Sequence, residues 1–84
     1  MIEVEFYDKV VALIEKMPTL SAKVYQHNIG GNPVVVVKLV DKWIGQAALD
    51  KFRVLCKSWG YLYLLTTETK CDKEEGLYIV IHES

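Results

Sequence analysis

Apolar residues recur at two different spacings along this chain, and the changes of spacing divide it into six elements. From Glu3 to Met17 they recur every three or four residues, which is the period of a helix with one buried face. The apolar stripe is Phe6, Val10, Leu13, Ile14 and Met17. Pro18 predicts the end of this helix, because proline disfavours helical geometry at the residue before it.

The spacing then changes to alternation. Between Leu20 and Asn28, apolar residues fall on every second position, which predicts a strand with one buried face. The β-branched run from Val34 to Val40 predicts a second strand. The intervening residues 28–33 include Gly30 and Gly31, which tolerate the positive φ of a tight turn, so the two strands are expected to form a hairpin.

Helical spacing returns after Asp41, which is a favourable N-cap residue for a second helix. Its buried stripe is Ile44, Ala48, Phe52, Leu55, Cys56 and Trp59, with Trp43 one step beside it. Gly60 predicts the end of the helix as a left-handed residue. Strands from Tyr61 to Glu68 and from Leu77 to Glu83 follow, joined by a polar segment in a second hairpin.

The element order α-β-β-α-β-β predicts an α+β fold, with residues 1–84 in one domain. We expect a two-layer sandwich in which two helices cover one face of a mainly antiparallel four-stranded sheet. The spacing of residues does not determine the order of the strands within that sheet.

Alternation also assigns residues to the face that the helices leave open. Four tyrosines fall there, which is the feature most suggestive of a binding surface. The predicted binding face comprises Lys23, Tyr25, His27, Val34, Val36, Lys38, Tyr61, Tyr63, Leu65, Tyr78, Val80 and His82. Leu62 and Leu64 are expected beneath the helices. The third strand is the weakest of these assignments: a shift of one residue reverses its faces, so the opposite orientation, with Tyr61, Tyr63 and Leu65 towards the helices, stays open.

Composition narrows the class of protein. A chain of 84 residues with 51% hydrophobic and 25% charged residues is expected to be a small globular domain with a thin core. The acidic start of the chain does not resemble a secretory signal and no apolar run could span a membrane, so we expect a cytoplasmic protein without membrane contact.

The cysteines and the charge balance add further expectations. Cys56 and Cys71 are expected to be reduced thiols, Cys56 as a small buried residue; a bridge between them would indicate a hyperthermophilic source. A net charge of −1 gives no general attraction to phosphate. No cofactor or metal motif is present, and we expect neither ligand.

Three functional hypotheses concern the predicted binding face. The first is that the protein is a non-enzymatic assembly module, in which this face forms a homodimer or is covered by another protein. Aromatic residues are common in protein interfaces, which favours this hypothesis. The second is single-stranded nucleic acid stacked on the tyrosines, although only Lys23 and Lys38 supply charge there. The remote third is a metal-independent nuclease that uses His27 and His82.

Overall fold

The computed structural model describes residue 2, residues 4–67 and residues 76–83, and it confirms the predicted α+β fold. Two helices and a four-stranded antiparallel sheet follow one another in the order α-β-β-α-β-β. The elements are α1 (Val4–Glu15), β1 (Ala22–Ile29), β2 (Asn32–Leu39), α2 (Gln46–Trp59), β3 (Tyr61–Thr66) and β4 (Leu77–Glu83). The predicted polar segment between β3 and β4, with Cys71, lies outside the described residues.

The first hairpin forms at the two glycines. Ile29 pairs with Asn32, so Gly30 and Gly31 alone make the turn. Their φ angles are 58° and 84°, and two consecutive positive φ angles are characteristic of the type I′ turn, whose twist matches that of the strands it joins. The turn therefore fixes the register of β1 against β2.

The second helix begins later than the sequence suggests. Asp41 is not its N-cap; Asp41 and Lys42 instead form a turn after β2, in which the Lys42 amide donates to the carbonyl of Leu39 at 3.0 Å. Gly45 occupies the N-cap position without a side-chain hydrogen bond. At the other end Gly60 has φ 74°, which confirms the predicted left-handed termination.

The strand order is β1-β2-β4-β3, so β2 and β4 are central and β1 and β3 are the edges. Both helices pack on one face of the sheet, where Phe6, Val10 and Phe52 are buried against the inward side chains of β2 and β4. The Tyr7 hydroxyl donates to the carbonyl of Val24 at 3.3 Å and links α1 to β1. Neither described helix is long and apolar enough to cross a bilayer.

Candidate interaction surface: the open face and the β3 edge

The open face is the side of the sheet opposite the helices, and its side chains form registered rows across all four strands. One row is Lys23, Lys38, Tyr78 and Thr66. The next row is Tyr25, Val36, Val80 and Leu64. His27, Val34, His82 and Leu62 lie beyond them, towards the Gly30–Gly31 turn. The assignments of β1, β2 and β4 to this face therefore agree with the sequence prediction.

The prediction for the third strand is wrong. Tyr61, Tyr63 and Leu65 lie on the helix side of β3, since Tyr63 pairs with Ile81 and Leu65 with Ile79, two residues of the core beneath the helices. Leu62, Leu64 and Thr66 take their places on the open face.

Aromatic packing accounts for this orientation. The ring of Tyr61 meets that of Phe6 edge-on, with centroids 4.7 Å apart and an angle of 89° between the planes. It also stacks with Trp59 at 6.4 Å and 27°. The ring centroids of Phe6 and Trp59 are 5.7 Å apart, so the three rings form one cluster. Such a cluster fills the space between α1, the end of α2 and the edge strand, so tyrosine is favoured on the inner side of β3.

The centre of the open face is not a wet aromatic surface. The sequence predicts that Tyr78 belongs to an accessible tyrosine patch, but Tyr78 is fully buried in the structure. Val36 is also fully buried, and Val34 and Val80 are nearly so. The Lys38 ammonium nitrogen lies 6.0 Å from the centroid of the Tyr78 ring. The hydroxyl oxygen of Tyr78 approaches Gly76 so closely that a Cβ there would be 3.3 Å away. Tyr78 is thus a packed residue of a second small core.

Exposed apolar surface is concentrated at the β3 side of this face. Leu62 and Leu64 are 51% and 58% exposed, although leucine side chains on a small domain are more often covered. The sequence prediction missed both, because it placed them beneath the helices. We use the term β3 edge for the strand Tyr61–Thr66 together with these outward leucines.

A groove of about 500 Å³ adjoins the β3 edge at the hairpin end of the open face. It is lined by Ile29, Asn32, Pro33, Val34, Leu64, Val80, His82 and Glu83. His82 Nδ1 lies 2.9 Å from the carbonyl oxygen of Glu83. His27 is on β1, and β2 lies between it and the strand of His82, which separates the two strands by about 10 Å. The two histidines proposed for catalysis are therefore not direct neighbours.

Positive charge on the open face is sparse. Lys23 and Lys38 lie directly opposite each other on β1 and β2, at the end of the face away from the groove. Among the described residues, no cluster of three or more His, Cys, Asp and Glu side chains is arranged to hold a metal ion.

Cys56 belongs to the core beneath the helices. Its side chain is buried, as predicted, and its thiol is free. Burial raises the pKa of this thiol to about 11, with a smaller opposing effect from a backbone hydrogen bond. The thiol is therefore protonated near neutral pH and is a weak nucleophile there.

Comparisons with protein-family models, with curated proteins and with solved structures find no match for this chain.

Proposed function

We propose that this protein is a small non-enzymatic assembly module that forms a homodimer through the β3 edge. The observation that carries the proposal is an uncharged apolar edge strand whose outward leucines, Leu62 and Leu64, are half exposed. The interface differs from the tyrosine face that the sequence suggests, but the class of function is the same.

The two edges of the sheet differ in the way that matters for association. Edge strands of monomeric proteins commonly carry charges, prolines or bulges that prevent pairing with another chain. β1 fits that description, since Lys23, Gln26 and His27 are exposed along it. β3 has the sequence YLYLLT, with no charge, proline or glycine. β3 is therefore the edge suited to pairing with a strand of another molecule.

Symmetry restricts how two copies could pair. Two β3 strands related by a two-fold axis run antiparallel, and residues opposite each other must lie on the same face of the continuous sheet. Their residue numbers must therefore differ by an even number. The register centred on Tyr63 meets this condition and places Leu62 opposite Leu64 of the second copy. On the helix side, Tyr61 then faces Leu65 of the second copy, so both faces match apolar with apolar.

Burial of the two leucines contributes to the free energy of dimerisation, and the size of that contribution follows from their exposure. Burying an exposed leucine contributes about 1.5–3 kcal/mol. Because Leu62 and Leu64 are each about half exposed, covering either contributes about 0.8–1.7 kcal/mol. Every residue counts twice in a symmetric dimer. A Leu64→Lys substitution therefore removes about 2–3 kcal/mol, which weakens dimerisation about 30- to 150-fold before any cost of the buried charge.

The other two hypotheses receive less support from the open face. A stacking platform for single-stranded nucleic acid needs accessible aromatic rings. With Tyr61 and Tyr63 turned towards the helices and Tyr78 buried, Tyr25 is the one partly exposed tyrosine on this face among the described residues. The separation of His27 and His82 likewise gives no support to a paired-histidine nuclease. The free Cys56 thiol is compatible with the cytoplasmic location expected from composition.

Molar mass measured by sedimentation over a range of protein concentrations tests the proposal. We expect the wild-type chain to dimerise and the Leu64→Lys variant to remain monomeric at concentrations where the wild type is dimeric. Val54→Lys is the matched control, because Val54 is 62% exposed but lies on α2, in the helix layer. A wild type that is monomeric throughout, or a control that dissociates as Leu64→Lys does, would refute a dimer through β3.

Cross-linking tests the register itself. Chains carrying Leu62→Cys and chains carrying Leu64→Cys, one of them tagged and both with Cys71→Ser, are mixed and oxidised. The proposed register brings these two positions opposite each other, within the reach of a disulfide. Mixed dimers should therefore exceed either homodimer. A dimer that yields only homodimeric cross-links would retain the assembly function but overturn the Tyr63-centred register.

A further inference from the structure

A second surface lies in the helix layer, on the other side of the sheet from the open face. α1 and α2 flank a groove of about 510 Å³. From this groove we propose that the helix layer binds an acidic amphipathic helix of a partner protein. The site is independent of the β3 edge, and neither proposal requires the other.

Each helix contributes one stripe of residues to the groove. The stripe on α1 is Lys9, Ala12 and Leu13, and it continues to Lys16, whose amide still donates to the carbonyl of Ala12 at 3.2 Å. These positions follow the i, i+3, i+4, i+7 spacing of a single helix face. The two lysines are seven positions apart in the sequence, so they stand about 10 Å apart along the axis, or about two helical turns.

The stripe on α2 has the same spacing. It consists of Lys51, Val54, Leu55 and Ser58. Leu55 is partly buried against the core, whereas Val54 leaves 62% of its surface exposed at the groove. Two adjacent stripes with aliphatic centres form the kind of groove into which the apolar face of a third helix packs.

Charge favours an acidic partner. Lys9, Lys16 and Lys51 are exposed at the groove. Asp50 is the single acidic residue among those that line it, and its carboxylate accepts from the Gln46 amide at 3.0 Å and lies 3.6 Å from Arg53. The groove therefore carries an excess of positive charge on a chain whose net charge is −1. Glutamates beside an apolar helix face would complement these lysines.

The probe is a labelled synthetic peptide of about fourteen residues, long enough for about four turns, with leucines on one helical face and glutamates elsewhere. A permuted peptide of the same composition lacks the apolar face. Fluorescence anisotropy should show saturable binding of the amphipathic peptide and much weaker binding of the permuted one. Raising the salt concentration should weaken the binding, because the lysines at the groove are exposed.

Variants locate the site. Lys9→Glu combined with Lys51→Glu should weaken peptide binding about tenfold or more, and Val54→Glu should do the same by placing a charge on the apolar floor. Lys23→Glu, on the open face, reverses one lysine charge outside the groove and should leave the affinity unchanged. All these side chains are exposed, and circular dichroism checks that each variant retains the fold.

Three results would overturn the proposal. The first is an absence of peptide binding at concentrations up to about 1 mM. The second is the failure of a control: either the permuted peptide binds as tightly as the amphipathic one, or Lys23→Glu weakens binding as much as Lys9→Glu combined with Lys51→Glu. The third is binding to vesicles that contain phosphatidylserine, reduced by Lys9→Glu with Lys51→Glu, in the absence of any peptide binding; that outcome would assign the lysine-rimmed groove to a membrane surface instead.

Discussion

Replacing Tyr61 with Leu tests the orientation of β3, because the two possible orientations predict different costs. In the structure Tyr61 contacts the rings of Phe6 and Trp59. Each aromatic pair contributes about 0.5–1.5 kcal/mol beyond its buried area, so the substitution should lower the free energy of unfolding by about 1–3 kcal/mol. That is a large share of the roughly 4–13 kcal/mol expected for a domain of this length. With Tyr61 on the open face, the loss would be a few tenths of a kcal/mol.

Urea denaturation followed by circular dichroism measures this loss. The comparison is made in the Leu64→Lys background, so that dimerisation does not contribute to the unfolding free energy. Leu62→Ala is the control, since Leu62 is half exposed on the opposite side of the same strand. It should cost less than Tyr61→Leu. A double-mutant cycle with Phe6→Leu should give an interaction energy of about 0.5–1.5 kcal/mol for the Phe6–Tyr61 pair.

The opposite pattern would refute the argument. A Tyr61→Leu variant within about 0.5 kcal/mol of its parent, together with a Leu62→Ala variant that loses about 2 kcal/mol or more, would mean that Leu62 and not Tyr61 lies beneath the helices. An interaction energy near zero in the cycle would show that the Phe6–Tyr61 contact contributes nothing specific to stability.

Three further predictions concern the end of α2 and the core. Gly60→Ala should lower the free energy of unfolding by about 1–2 kcal/mol in urea denaturation, because φ is 74° and open space surrounds the position, leaving backbone strain as the cost; an unchanged midpoint would contradict this. In a Cys71→Ser chain at pH 8, Cys56 should react with a thiol reagent only as fast as the protein unfolds, and rapid labelling of the native chain would contradict its burial. Folding raises the pKa of Cys56 from 9.0 to about 11. The contribution of Cys56 to the free energy of unfolding is therefore fully present below about pH 9 and is lost as the pH rises towards 11. The free energy of unfolding should fall by up to about 1.4 kcal/mol per pH unit in this range, and Cys56→Ala should remove that dependence.

Local patterns in the sequence are sufficient to predict most of the fold. The three- and four-residue spacing identifies both helices and their buried stripes, because one helical face must be apolar wherever it packs. Gly30 and Gly31 identify the first turn, since few other residues tolerate two consecutive positive φ angles. Alternation assigns β1, β2 and β4 to the correct faces, because the outward side of each strand also carries a basic residue: Lys23 and His27 on β1, Lys38 on β2 and His82 on β4.

The start of α2 shows where a local signal is outweighed. Asp41 is a good N-cap by residue type, yet the chain uses Asp41 and Lys42 to turn away from β2 before the helix begins. A capping side chain contributes only about 0.5–2 kcal/mol, so residue type at one position does not by itself determine where a helix begins.

The candidate interface depends on information that no local pattern contains. The β3 sequence is apolar on both sides, so alternation gives two equivalent solutions for it. The choice is made by Phe6, which is distant along the chain but adjacent to Tyr61 in the fold, and by Trp59. The same long-range pairing puts β4 between β2 and β3 and so makes β3 an edge. The sequence determined the elements and the buried stripes through short-range periodicity, whereas tertiary packing alone decided that Leu62 and Leu64 are exposed on an open strand edge.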